Sequence, residues 1–522
     1  MKRVIMKRIL EKIKWYWGKN PLACIMLIAV VSRACAIVFA KGYGMDDDHF
    51  CVIDIAQKWL NGSKDWFGQS DNLRSFLYPG LHYLLFDLLQ KIGIFDPQIK
   101  MYFVRFFNAL FSLITVYFGY KTMKAVTSEK SAKLIGLLLA ILWPMPFMSV
   151  RDLLEFACIP PMMIGIYFLY KNWNVHFCNS SNSSTGIIAP LSENGHKILY
   201  AIVAGLAFGL AFTLRFQTLS IAGTIGLVLL VSKRIKESIV YGIAFFFSAF
   251  CFQGIPDWVL CGSPIISFWN YLTYNSANGD AYTTGPFYTY IGLIIGVLIP
   301  PTSLLLLYGF CRTWKKHALI FWPTMAFFII HSIYPNKQER FILPILPFIA
   351  MLSVVGWQEF VEKSAYWQNK RKLLKGLWVW FWVFNSLLLL LTTFTYSKKS
   401  RVETLSYLYH CPDVTGAIIE TSDAGVPHVP LFYLHKNIPL YCMTYGKNAD
   451  SLRAEIQNGA TPNRVVFLSA NNLAKRINRM ETILPGLVFE KTISPSIADQ
   501  LLYFLNPKHN VNQTSYIYKV GK

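Results

Sequence analysis

Long apolar runs broken by short basic turns fill residues 22–397, and beyond about residue 400 the pattern changes to short apolar runs separated by Gly, Pro and Asn. A membrane-crossing helix needs roughly 20 mostly apolar residues, and the windows 22–40, 134–150, 287–308 and 375–397 are of that kind. Shorter bounded runs at 101–121, 154–171, 198–214, 217–232, 238–254, 317–333 and 341–356 bring the expected total to about eleven spans. The runs at 416–419, 429–434, 438–441 and 465–468 predict a small α/β domain in the aqueous phase. The expected class is a mostly α, polytopic membrane protein. It divides into a short cytoplasmic N-terminus (1–21), a membrane domain (22–397) and a soluble α/β domain (398–522).

The basic turns orient the bundle. Lys124, Lys130 and Lys133, then Lys233, Arg234 and Lys236, then Arg312, Lys315 and Lys316, and finally Lys370, Arg371 and Lys372 all fall on one side of the predicted spans, together with the basic N-terminus. The positive-inside tendency assigns that side to the cytoplasm. The segment 76–95 breaks this agreement if it crosses, and it carries His82, Asp87, Gln90 and Lys91 among its apolar residues. We therefore expect an amphipathic helix lying in the interface, within a first outer loop at 41–100. On this parity the segments 151–155, 255–286 and 334–340, and everything after 397, share the outer side. The first span follows a basic stretch as a signal peptide would, but no small-residue cleavage site follows it convincingly, so it is expected to stay.

Composition agrees with the pattern: 54% of residues are hydrophobic, 16% aromatic and only 15% charged, which is too apolar for a soluble chain of 522 residues. The net charge of +22 is spread over the turns between spans, so it reads as topology and excludes a nucleic-acid-binding face. The cysteines are scattered without metal spacing and read as packing residues; a Cys411–Cys442 disulfide in the tail has nothing in the sequence to support it. The polar stretch Asn179–Ser184 reads as a linker.

Ionisable residues at span ends are functional candidates because their burial in a bilayer is unfavourable. Asp46, Asp47 and Asp48 follow the first span directly, where they could be a solvated loop edge, a metal site or a general base. Arg74 follows in an aromatic turn, and the later outer segments add Arg151, Asp152 and Glu155, then Arg215 and Gln217, then Asp257, then Lys337, Glu339 and Arg340. An i, i+4 ion pair between Arg151 and Glu155 is the plainer expectation for those two. Acids and bases gathered on one face suit a phosphate-bearing substrate.

The order Asp47-Asp48-His49-Phe50, Arg74-Ser75-Phe76-Leu77-Tyr78-Pro79-Gly80 and Leu214-Arg215-Phe216-Gln217 is similar to the lipid-phosphate-mannose-dependent mannosyltransferases of N-glycan and GPI-anchor assembly, members of the GT-C superfamily. Two further stretches add to the resemblance. One runs from Asp257-Trp258 through Gly262, Pro264, Tyr274-Asn275 and Gly285-Pro286. The other runs from His331 to Pro344 and resembles the family's His-Lys-Glu-x-Arg-Phe-x-x-Pro block. Departures are Met45-Asp46-Asp47-Asp48 where the family has His-Pro-Asp-Glu, and Asn336 and Gln338 where it has His and Glu.

The resemblance implies a GT-C-like bundle and an inverting transfer of one sugar, mannose by family default, from a polyprenyl- or dolichyl-phosphate donor to a glycan or glycolipid hydroxyl. It makes Asp47 the expected base with Asp48 beside it. Glu155, Arg151 and Asp257 become acceptor-side candidates, and Arg74, Arg215, Lys337 and Arg340 become holders of the donor phosphate. No metal and no cofactor are expected, because lipid phosphate is already a good leaving group. The expected location is a plasma or inner membrane in bacteria or the endoplasmic reticulum membrane in eukaryotes, with an extracytoplasmic or lumenal site. A lipid-linked saccharide flippase or a glycan ligase would share the spans and the charged cavity; a flippase has no use for a base at one surface.

Overall fold

The computed structural model describes residues 2–45, 49–63, 73–173, 194–421, 429–443, 449–457, 461–507 and 514–521. Asp46, Asp47 and Asp48, and the Asn179–Ser184 linker, lie outside the described residues. Every apolar run read above as a span contains helix. Among the described residues, six helices are long and apolar enough to cross a membrane: Pro21–Phe39, Pro97–Val126, His196–Leu214, Ile235–Cys261, Glu339–Lys363 and Arg371–Thr393. The run 287–308 differs from the expected straight span. Helices Thr289–Val297 and Thr302–Cys311 meet there at 116°. Pro300 and Pro301 sit at the corner, and neither can donate the backbone N–H that would carry a helix through. Phe216–Val231 and Ala318–Ile333 are shorter apolar helices.

The chain folds as two compact units. The first comprises Met1–Ala36, Asp65–Leu81 and Arg105–Thr393. Its helices pack through small residues where backbones come close: a side chain on Gly205 would strike the carbonyl of Tyr241, and one on Gly209 that of Phe245. This is the Gly-x-x-x-Gly device by which membrane helices gain contact in the absence of a hydrophobic drive.

The second unit comprises Ile37–Lys64, His82–Val104 and Phe394–Lys522, so the expected α/β domain also incorporates two stretches of the expected first outer loop. Its sheet has five strands, β1 (Ala417–Thr421), β2 (Leu440–Met443), β3 (Arg464–Leu468), β4 (Leu487–Ile493) and β5 (Ser515–Val520), in the order β2-β1-β3-β5-β4. The first three are parallel, whereas β5 runs antiparallel to β3 and β4 antiparallel to β5. Ile418, Met443, Leu452, Val465, Phe467 and Met480 form its core. The run 429–434, which sequence places among the strand-like runs, is a short helical turn at Leu431–Tyr433. Its aromatic rings are buried outside the sheet, as described below.

Helix Leu77–Lys91, at 15 residues, is too short to count among those spans. It carries an exposed apolar stripe at Leu81, Leu84 and Leu88, continued by Ile92 beyond its end. Such a stripe is what an interfacial helix turns toward lipid. After the first and last spans, Ser397 N–H donates to Lys41 O at 3.0 Å, and Gly42 and Ser397 form a parallel bridge.

Candidate functional site

The charged residues of the first unit gather where helices break. Helix Asn194–Leu214 ends at Arg215, whose backbone is extended (φ −148°, ψ 105°) before the turn Phe216–Thr218. Glu155 lies in the short helix Leu154–Ala157, between two longer helical stretches. Arg340 lies in the turn Glu339–Ile345, which contains Pro344. Breaks like these let long polar side chains converge without interrupting a span.

Glu155 is 2% exposed, and its Oε1 is 3.0 Å from Arg215 Nη2 and 3.4 Å from Arg340 Nε. Both guanidinium groups also lie over the Phe341 ring, 5.3 Å and 5.5 Å from its centroid. Among the described residues, two guanidinium groups thus share one buried carboxylate and one aromatic face. Paired guanidinium groups suit the recognition of an anionic group such as a phosphate. Arg151 does not pair with Glu155 as the i, i+4 spacing suggests: it lies over Phe147 at 4.3 Å, and Glu155 takes its partners from two other segments.

Next to this cluster, Gln217 donates from its amide to Tyr271 Oη. Burial raises the Tyr271 phenol above its ordinary range, and the charges of Arg215 and Arg74 partly offset that, so Arg74 lies close to the same group. The aromatic motif after Arg74 reaches the acidic segment by another route. Tyr78 Oη donates to Asn108 Oδ1 at 3.2 Å, and Asn108 Nδ2 donates to Asp152 Oδ1 at 2.9 Å. Asn108 went unnoticed in the sequence, although an amide inside an apolar helix is itself a signal.

Two expected contacts serve structure here. Asp257 accepts from Gln253 Nε2 at 2.9 Å, Ser267 Oγ at 2.7 Å and Ser267 N at 2.9 Å, fastening the start of helix Ile266–Ala277. Lys337 donates to the carbonyls of His331 and Ser332, each at 2.9 Å, and to that of Tyr334. Its ammonium therefore closes the end of helix Ala318–Ile333, where a cation is favoured. The two loops that carry these residues are stitched together by the Thr284–Asn336 bridge, Lys337 N to Thr283 O at 2.8 Å and Tyr334 Oη to Asn275 O at 2.6 Å. This explains why the motif residues Asn275 and Gly285 occur beside the block containing Arg340.

In the second unit, the residues that follow the acidic triplet are gripped. His49 is fully buried between the rings of Tyr43 (4.9 Å) and Tyr433 (5.2 Å). Its Nε2 is 3.4 Å from Asp54 Oδ1, and Asp54 accepts Phe432 N–H at 3.0 Å. Burial pushes the Asp54 carboxyl up to about 7, against the lowering effects of that hydrogen bond and of Lys58. Nothing in the sequence links residues 49 and 54 to 432 and 433. Among the described residues no group of three His, Cys, Asp or Glu side chains could hold a metal ion, and Cys411 and Cys442 are not joined by a disulfide.

Residues 24–413 match the Alg9-like mannosyltransferase family. The chain is 24% identical over 339 residues to "Mannosyltransferase APTG1" of Arabidopsis thaliana, covering 63% of this chain but only 57% of that protein. It is 22% identical over 432 residues to "GPI mannosyltransferase 3" of Yarrowia lipolytica, covering 80% of this chain and 76% of that one. The fold resembles that of ArnT from Cupriavidus metallidurans bound to undecaprenyl phosphate, with a TM-score of 0.58, 12% identity and coverage of 96% and 98% of the two chains. The expected GT-C architecture is thus borne out.

Proposed function

Because the chain belongs to the Alg9-like mannosyltransferase family, we propose that it moves one mannosyl residue from a polyprenyl-phosphate donor to a hydroxyl of a glycan or glycolipid. The observation that supports this most is the pair of guanidinium groups, Arg215 and Arg340, brought together around Glu155 at helix breaks. Polyprenyl phosphate leaves as an anion, and preset cations where that charge develops lower the barrier. Arg74, close to the same cluster through Tyr271, adds a third positive charge. Lys337 and Asp257 act as positioning residues: the one closes a helix end three residues before Arg340, the other fastens the neighbouring loop.

In the reaction, the acceptor oxygen forms a bond to the anomeric carbon while the bond from that carbon to the phosphate oxygen breaks. Asp47 takes the acceptor proton, the bonding electrons stay on the lipid phosphate, and the configuration inverts. General-base help of this kind is typically worth about 100- to 10,000-fold. Asp48 orients the acceptor. The basic turns face the cytoplasm in this reading, so transfer occurs on the extracytoplasmic or lumenal side.

Purified protein supplied with radiolabelled polyprenyl-phosphate mannose and a panel of lipid-linked acceptors should form labelled product. Asp47→Asn should abolish transfer while leaving donor binding intact. Full transfer by Asp47→Asn together with loss in Asp48→Asn would move the base by one position. Full transfer by both variants would overturn the general-base mechanism and favour lipid translocation.

A further inference from the structure

The short helix Ile497–Leu505 has seven apolar residues out of nine, yet only Asp499 is buried. Ile497 is 83% exposed, Phe504 82% and Leu505 68%, and Leu501, Leu502 and Tyr503 are also exposed. A helix that is apolar nearly all round belongs in a protein core or in lipid, and an apolar patch of this kind on a soluble domain marks an interaction surface.

The helix is held at a defined place. Asp499 caps its own N-terminus in a box with Ser496, whose Oγ accepts Asp499 N–H at 3.1 Å. The same carboxylate accepts the backbone N–H of Lys398 at 2.9 Å and of Lys399 at 3.0 Å, and so caps the helix Lys399–His410 as well. Lys398 is five residues beyond the last span, which ends at Thr393. An extended chain of that length reaches at most about 17 Å. Its neighbour Ser397 is bonded to Lys41, two residues beyond the first span, which ends at Phe39. One carboxylate therefore ties this apolar helix to the segment that follows the last long apolar helix by five residues in the chain.

We propose that helix Ile497–Leu505 lies in the membrane interface and anchors the C-terminal domain to the lipid surface. Phe504 and Leu505 insert among the acyl chains near the headgroups, and Asp499 stays buried in its double cap. The surface it meets is the bilayer that the spans already cross, continuous with their exit points, which is the reason to assign lipid as its occupant. The anchor limits the freedom of the domain whose residues 432 and 433 grip the segment following the acidic triplet.

The test uses the full chain in vesicles of phosphatidylcholine and phosphatidylglycerol containing a phosphatidylcholine with a diazirine on its acyl chain. After irradiation, labelled peptides are mapped by mass spectrometry. Peptides covering 497–505 should be labelled as strongly as those of Arg371–Thr393 and about tenfold more than those of β3, as an interfacial helix requires. The double variant Phe504→Ser, Leu505→Ser changes exposed side chains only. It should fold with an unchanged melting temperature and lose about tenfold of that labelling. Labelling of 497–505 no higher than that of β3 would overturn the proposal, and so would undiminished labelling in the serine variant.

Discussion

Replacing Glu155 probes the charged cluster most directly. Glu155→Gln keeps one acceptor oxygen but removes the charge between Arg215 and Arg340, which stand 3.0 Å and 3.4 Å from the same oxygen. The two contacts are ion pairs, and because the amide keeps the shape of the carboxylate while losing its charge, Glu155→Gln should cost less than full removal of the buried counter-charge, about 2 kcal/mol. Glu155→Leu leaves two buried cations without a counter-charge and should cost about 3–5 kcal/mol. Both variants should therefore lower the melting temperature of the solubilised protein, leucine more than glutamine. A double-mutant cycle of Glu155→Gln with Arg340→Gln should show a coupling of about 1–3 kcal/mol, because the two side chains share one network. In the transfer assay Glu155→Gln should also lower turnover, since it disturbs both arginines proposed to hold the donor phosphate. Melting of Glu155→Leu at the wild-type temperature would refute the pairing. Normal turnover in a Glu155→Gln protein with a lowered melting temperature would reduce Glu155 to a structural partner and remove it from the acceptor side.

Asp54→Asn tests the buried dyad through pH. With the folded carboxyl raised to about 7 from an ordinary 3.8, its contribution to stability is complete below 3.8 and is lost as pH rises through 7; at about 1.36 kcal/mol per pH unit the interval bounds the loss at about 4 kcal/mol. The asparagine variant should therefore lack this fall in melting temperature between pH 4 and pH 8, and an unchanged slope would show that Asp54 does not titrate there. Gly42→Ala tests the staple between the first and last spans: Gly42 has φ +75°, and a Cβ there would come within 1.9 Å of the Ser397 carbonyl oxygen. The bridge should break at a cost of about 1–3 kcal/mol, seen as a lower melting temperature, and an unaltered melt would mean the staple contributes nothing.

The parts of this molecule that were legible in sequence are those governed by local chemistry. Apolar length marked the helical runs, each of which contains helix. Motif order pointed to Arg215 and Arg340, and an acid at the end of an apolar run pointed to Glu155; all three stand at helix breaks. What sequence missed depends on contacts between distant segments. The spacing of Arg151 and Glu155 suggested a local pair, but Glu155 lies in a helix of only four residues, too short to make i, i+4 geometry decisive, and two arginines from elsewhere take its carboxylate. Lys337 was legible as a cation beside the site but not as a helix cap, because its three carbonyl partners are set by where helix Ala318–Ile333 stops. The run 429–434 looks like a strand by composition; Phe432 and Tyr433 are instead claimed by His49 and Asp54, nearly 380 residues earlier.

The same contacts explain how a charged site persists at the edge of a bilayer. An isolated buried carboxylate or guanidinium would be expelled or neutralised. Here Glu155 answers two arginines, Phe341 offers both guanidinium groups an aromatic face, and Asp152 is satisfied by Asn108. With the proposed lipid-phosphate donor, the phosphate competes with Glu155 for Arg215 and Arg340, and the proposed acceptor role of Glu155 depends on its release from them. Donor and acceptor binding are linked through one carboxylate on this account, and the linkage requires both arginines.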